Sequence, residues 1–236
     1  MAVKHKNPHT EDHSTDVLEN PEVLAGQISK TEEFVSENKG VVLGVAAVIA
    51  LLVAGFFGFQ YYKNSQNEKA QNEMFQAIHY FESDSLDLAL NGDQNNLGFL
   101  AIIDDYGISK AANLAHFYAG ASYLKKGEFD EAISHLKDFS ADDLLVQARA
   151  YSLIGDAYME KGDFESAASY YQKAADYKPN KYFSPRYLMK AAFAYEKANN
   201  MDAAAEAYDH IITEYWDSSE FQNAKKFKAR IAQSES

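Results

Sequence analysis

Residues 40–62 carry no charged side chain, and the core of that interval reads VVLGVAAVIALLVAGFFGF. At about 1.5 Å per residue a helix over residues 41–62 is about 33 Å long, enough to cross a hydrocarbon layer of roughly 30 Å. A soluble domain of this size rarely hides a helix that is apolar on every side, so the pattern predicts a transmembrane helix over 41–62. Tyr61 and Tyr62 end the run with rings that meet acyl chain and hydroxyls that meet water, and Lys63 closes it. A cleaved export signal needs a short basic leader and an apolar stretch of about 7 to 15 residues. The leader here is long and sets Lys4, Lys6, Lys30 and Lys39 against eight acidic residues, so a retained single-pass anchor is expected. Charge bias orients it weakly. Lys30 and Lys39 balance Lys63 and Lys69, and only the distal Lys4 and Lys6 tilt the N-terminus inward.

Residues 1–19 show no helical pattern and are expected to form a disordered tail. His5, His9 and His13 recur at four-residue spacing, which on a helix aligns three imidazoles as a metal face. Pro8 falls among them and nothing else supports a helix there, so no metal site is expected. From Asn20 the pattern changes. Asn20 suits an N-cap, Pro21 suits the first helical position, and Val23, Leu24, Ile28, Thr31, Phe34 and Val35 recur at helical spacing. An amphipathic juxtamembrane helix over 20–40 is predicted. Ser29 with Glu32 offers a second start, a capping box for a shorter helix. The acidic polar side favours shallow docking or a protein partner over a sensor of anionic lipid.

After Lys63 the chain repeats itself. GASYLKKGEFDEAISHL, GDAYMEKGDFESAASYY and AAFAYEKANNMDAAAEAY superimpose. Gly120, Tyr123, Gly127, Phe129 and Ala132 return 35 residues later as Gly155, Tyr158, Gly162, Phe164 and Ala167. A further 37 residues bring Ala192, Tyr195, Asn199, Met201 and Ala204. Small residues at Gly120, Gly155 and Ala192, matched by Ala132, Ala167 and Ala204, let two helices approach closely. The three tyrosines fill the remaining space, and Gly127, Gly162 and Asn199 suit a left-handed turn between the helices. These positions and spacings resemble the tetratricopeptide repeat, a pair of antiparallel helices. Pro179 and Pro185 mark the third connection between pairs.

A diverged first pair is expected from helices over 66–81 and 97–106 around a loop at 91–96. At the other end Ser218 or Ser219 is expected to cap a final helix. Phe221, Ala224, Phe227 and Ile231 would face inward, with Lys225, Lys226, Lys228 and Arg230 on the wet side. The fold class expected is all-α: a single N-terminal transmembrane helix, then a tetratricopeptide-repeat α-solenoid over 63–236 with a C-terminal capping helix.

Composition agrees with this picture and removes several chemistries. Twelve glycines and four prolines in 236 residues suit long helices better than a turn-rich β protein. A net charge of −13, from 35 acidic and 22 basic residues, repels phosphate backbones, so no nucleic-acid partner is expected. The absence of cysteine removes disulfides, thiolate metal sites and a cysteine nucleophile. His116 and His135 fall in the two helices of one repeat without further ligands at useful spacing. Asp104 with Asp105, and Asp142 with Asp143, are paired carboxylates that suit helix ends and caps better than acid and base work. None of the phosphate-loop, dinucleotide, zinc-hydrolase or nucleophile-elbow patterns occurs. The expectation is a non-enzyme with no catalytic residues, cofactor or metal.

In the repeat register the first helices line an open concave face. That face receives Phe117, Leu124, Arg149, Met159, Arg186, Met189 and Phe193 as the expected partner-binding groove, with Asp156 among them. Some tetratricopeptide co-chaperones place lysine and asparagine at two such positions to grip a C-terminal carboxylate. Here those positions hold Phe117, Ser152 and Met189, then Ala121, Asp156 and Phe193, so that clamp is absent. An apolar, adaptable groove with a few cations suits extended or partly unfolded polypeptide clients. Packing between repeats is the other role open to each of these side chains.

The anchor followed by about four helix pairs, together with FLAIIDDYGISKAANLAHFYAGASYLKKGEFDEAISHL, resembles the YfgM-like family of ancillary Sec translocon subunits in its Bacteroidota form. The likeness covers roughly residues 30–232. Anchor placement and the Tyr106, Gly107, Ile108, Ser109 entry to the next repeat carry most of its specificity. The resemblance implies an inner-membrane protein with a cytoplasmic N-terminus and a periplasmic repeat domain. It also implies association with SecYEG and with a PpiD-like membrane-anchored chaperone. The function expected is a membrane-anchored accessory subunit that binds partners and emerging clients. A structural scaffold for another envelope assembly is the alternative, and a receptor with cytosolic repeats is a third reading.

Overall fold

The computed structural model describes residues 21–234, so the 1–19 tail with His5, His9 and His13, and the cap residue Asn20, lie outside the described residues. The chain divides between Tyr61 and Tyr62 into two units. Every regular element among the described residues is a helix, apart from an isolated bridge between Gly92 and Leu97.

Helix α1 spans Pro21–Glu37 and α2 spans Lys39–Glu82. Ser29 and Glu32 lie inside α1, so the shorter helix that a capping box would have started does not form. Asn38 separates α1 from α2, and its backbone N–H and its Nδ2 both donate to the Phe34 carbonyl at 3.0 Å. Helix α2 continues through Lys63 for 44 residues, joining the apolar run to the first repeat helix that the hydropathy pattern separates. Hydropathy changes sharply at Lys63, but residues 63–69 contain no glycine or proline, and backbone propensity offers no reason to stop. Among the described residues α2 is one helix long and apolar enough to cross a membrane, and its side chains from Val41 to Tyr62 are exposed, apart from a half-buried Val42.

In the second unit the later part of α2 buries Ala70, Met74 and Ala77 against α3 (Leu86–Asn91), α4 (Phe99–Asp105) and α5 (Lys110–Lys126). The short α3 is absent from the sequence reading, because six residues are too few to show a helical period. Its buried Ala89 and Leu90 bring it onto the core. The connection after it is tied by Asp93, whose Oδ1 accepts from the backbone N–H groups of Asn95 (2.7 Å) and Asn96 (2.8 Å). Tyr80 donates to Asp93 Oδ2 at 2.5 Å, and chiefly through that bond the carboxyl is held down at about 2.

Three helix pairs follow: α5 with α6 (Phe129–Asp138), α7 (Leu144–Glu160) with α8 (Phe164–Asp176), and α9 (Ser184–Lys197) with α10 (Met201–Glu214). Gly127, Gly162 and Asn199 take φ of 80°, 76° and 59°, the left-handed conformation that ends the first helix of each pair. Close approach is real at the small positions. A Cβ on Gly120 would lie 2.5 Å from Leu136 Cγ, and one on Gly155 would lie 2.6 Å from Tyr171 Cε1. Ala132, Ala167, Ala192 and Ala204 are fully buried. Side chains close the N-termini: Asp143 Oδ1 accepts from the N–H groups of Leu145 and Val146, and Asn200 Oδ1 accepts from that of Ala203.

The last helix, α11 (Phe221–Ser234), buries Ala224 and Ile231 and half-buries Phe221 and Phe227. One expectation about it fails. Neither serine caps it, since Ser219 Oγ donates to the Glu220 carboxylate and Ser218 Oγ has no hydrogen-bond partner. Its cations keep to the wet side, with Lys225, Lys226 and Arg230 exposed and Lys228 half-buried, and two of them also reach the preceding pair: Lys228 holds Asp209 at 2.5 Å and Arg230 holds Glu196. A long flexible cation reaches any carboxylate within a turn of its own face, which helical spacing alone does not reveal.

Candidate partner-binding surface

Helix α9 presents Met189 and Phe193 on the side facing α11. With Glu196, Lys197, Met201, Tyr208, Phe227 and Arg230 they line a cavity of about 510 Å³ between α9, α10 and α11. Its floor is apolar and sulfur-rich, which lets it repack around different side chains. Phe193 stays 49% exposed, with the Lys197 ammonium 5.3 Å from its ring centre. The rim is polar and ordered: Tyr208 donates to Glu196 Oε1 at 2.8 Å, and Arg230 pairs with the same carboxylate. Burial, followed by that bond, pushes the Tyr208 hydroxyl well up, so it remains a donor.

The structure brings Met189 and Phe193 together and distributes the other five positions. Arg149 is exposed and lines a separate cavity of about 200 Å³ with Leu145, Phe183 and Tyr187. Arg186 lines a third, of about 470 Å³, and its Nε lies 3.5 Å from Glu220. Phe117 and Leu124 pack half-buried in the cluster around Ile133, Leu136 and Leu153, where the Phe117 ring sits 5.4 Å from that of Phe139. Met159 packs on the cluster around Ala167 and Tyr171.

Asp156 is tied into a polar network. Its Oδ1 accepts from the Tyr171 hydroxyl at 2.7 Å and from Lys190 at 2.7 Å, and Lys190 also reaches Ser152 Oγ at 3.2 Å. Burial, with Asp156 beside it, drives the Tyr171 hydroxyl far above its usual range. Helical spacing does not single out Lys190, one residue beyond Met189 on α9, although it supplies the charge that pairs with Asp156 there.

His116 and His135 also meet, with Nδ1 atoms 3.1 Å apart across the α5–α6 pair and the Tyr123 ring stacked on His135. One ring donates and the other accepts, so the contact needs at least one neutral imidazole. Burial lowers both rings below the usual histidine range, against the opposing pull of Asp138 on both and of Asp104 and Glu131 on His135. A folded-state value below the unfolded one means the contribution to stability is complete above about pH 6.5 and is lost as pH falls through the folded value. Urea midpoints at pH 7.5 and pH 5.0 check this. Wild type should lose more stability on acidification than a His116→Gln, His135→Gln variant, and equal losses would remove the pair's role.

Two family profiles cover most of the chain. A "Tetratricopeptide repeat" profile matches residues 117–182 and again 152–219, and a "Tetratricopeptide repeat-like domain" profile matches residues 32–143. Tetratricopeptide-type repeat domains are present in this chain. The overlapping matches at 117–182 and 152–219 share the second half of α7 and all of α8, as expected where each helix pair contacts both of its neighbours. No curated protein matches the chain. Tetratricopeptide domains act as surfaces for other proteins, and the second matched segment supplies the α9 and α10 walls of the apolar cavity at Phe193, while Phe227 and Arg230 of α11 lie beyond it.

Proposed function

We propose that the chain is a non-enzymatic, single-pass inner-membrane protein whose tetratricopeptide domain binds partner proteins and emerging polypeptide clients beside the Sec channel. Residues 41–62 form the membrane span, the N-terminus is cytoplasmic and the repeat domain is periplasmic. SecYEG and a PpiD-like chaperone are the partners that the resemblance implies. The observation that carries the reading is that the repeat-like match begins at residue 32, so it takes in the apolar run together with the first helix pair. Exposure of that run along α2 and the apolar cavity at Met189 and Phe193 support it further. Confinement to a membrane raises local concentration, so a weak groove suffices to hold chains leaving a channel.

Affinity purification of the full-length protein in mild detergent tests the assignment. Recovery of Sec channel subunits is expected. Recovery of a division or outer-membrane assembly factor in their place would replace the reading with the scaffold alternative. Reporter fusions at the C-terminus test topology, with exported activity expected and cytosolic activity contradicting it.

A further inference from the structure

Phe183 stands between two cavities, lining both the 200 Å³ cavity that holds Arg149 and the 470 Å³ cavity that holds Arg186. The smaller one is walled by Leu144, Leu145, Ala148 and Tyr187, and falls below the roughly 300–1,000 Å³ of small-molecule sites. That size suits one bulky apolar side chain. The larger one is polar at its edge. Lys181 there is satisfied by Asp217 at 3.1 Å, whereas Arg186 makes only a long contact with Glu220.

Uncompensated positive charge points to an anionic occupant. Arg149 is exposed and pairs with no carboxylate among the described residues, in a chain whose net charge is −13. The neighbouring surface has the make-up of an interaction hot spot, with Tyr182 and Trp216 each 68% exposed.

The geometry points to a second peptide site at Phe183, separate from the cavity at Phe193, that takes an extended segment in which acidic side chains flank a bulky apolar one. The apolar side chain fills the small cavity. One carboxylate meets Arg149, and the next meets Arg186. A planar guanidinium grips a carboxylate through two parallel bonds, which makes Arg149 and Arg186 selective for acids and not merely attractive to them. This inference rests on the reading of the domain as a binder of polypeptides.

Fluorescence anisotropy of the full-length protein in detergent tests it, with a labelled peptide of three Glu-Leu pairs blocked at both ends and its Gln-Leu counterpart. The glutamate peptide should bind at least tenfold more tightly. An Arg149→Gln, Arg186→Gln variant with unchanged circular dichroism should lose at least tenfold. Trp216, the chain's one tryptophan and next to cavity residue Asp217, should change its emission with the glutamate peptide. Equal affinity for the two peptides, or undiminished binding by the arginine variant, overturns the site. If binding survives the arginine variant and is lost with Phe193→Asp, the peptide occupies the other cavity, and this inference falls while the polypeptide-binding reading stands. If no Sec component copurifies but the arginine dependence holds, the translocon assignment falls and this site stands.

Discussion

Gly155→Leu should lower the stability of the repeat domain by about 3 kcal/mol, measured by urea unfolding of the full chain in detergent followed by circular dichroism. Even one added carbon would lie 2.6 Å from Tyr171 Cε1 and 2.7 Å from its Cδ1. The ring has little room to yield, because Tyr171 is 4% exposed and its hydroxyl is held by Asp156, which Lys190 holds in turn. Relief requires α7 and α8 to move apart, and that shift would propagate to both neighbouring pairs. Gly162→Ala separates this effect from backbone strain. Gly162 has φ of 76° with nothing near its missing Cβ, so only the left-handed cost of about 1–2 kcal/mol applies. A Gly155→Leu loss no larger than that of Gly162→Ala would show that the helices do not pack as described.

Leu51→Arg with Leu52→Arg should abolish stable membrane association. Both residues lie at the middle of the 41–62 run, and both are exposed along α2. An arginine at the centre of a spanning helix costs about 2.5–3.5 kcal/mol, and each leucine removed forfeits a further fraction, for about 7 kcal/mol together. Carbonate extraction checks it: wild type should remain with the membrane pellet and the variant should move to the supernatant. Wild type in the supernatant, or a variant that stays in the pellet, would contradict the span.

What could be seen in the sequence was what is local. The left-handed turns at Gly127, Gly162 and Asn199 depend on the residue at the turn itself, and the small residues at Gly120 and Gly155 recur at a fixed offset. The unbroken α2 was hidden because the eye follows hydropathy, which changes at Lys63, while helix continuity follows propensity, which does not. The cap expected at Ser218 or Ser219 failed because residue type does not decide whether a hydroxyl reaches the backbone.

Tertiary pairings were the least legible. His116 and His135 each read as solitary, yet the register of one helix pair sets their Nδ1 atoms 3.1 Å apart. Helical spacing assigned Arg149, Arg186, Met189 and Phe193 to one face. Which of them share a cavity depends on Phe183, Met201, Tyr208 and Phe227, contributed by a turn and by neighbouring helices that spacing within one helix cannot specify.

Site-specific photocrosslinking in native membranes tests the central claim, with the probe placed at Phe193 in the cavity facing α11 or at Glu206 on the opposite side of α10. The account predicts adducts with Sec subunits or exported polypeptides from Phe193 and few from Glu206. No adducts from Phe193, or equal yields from both positions, would contradict it.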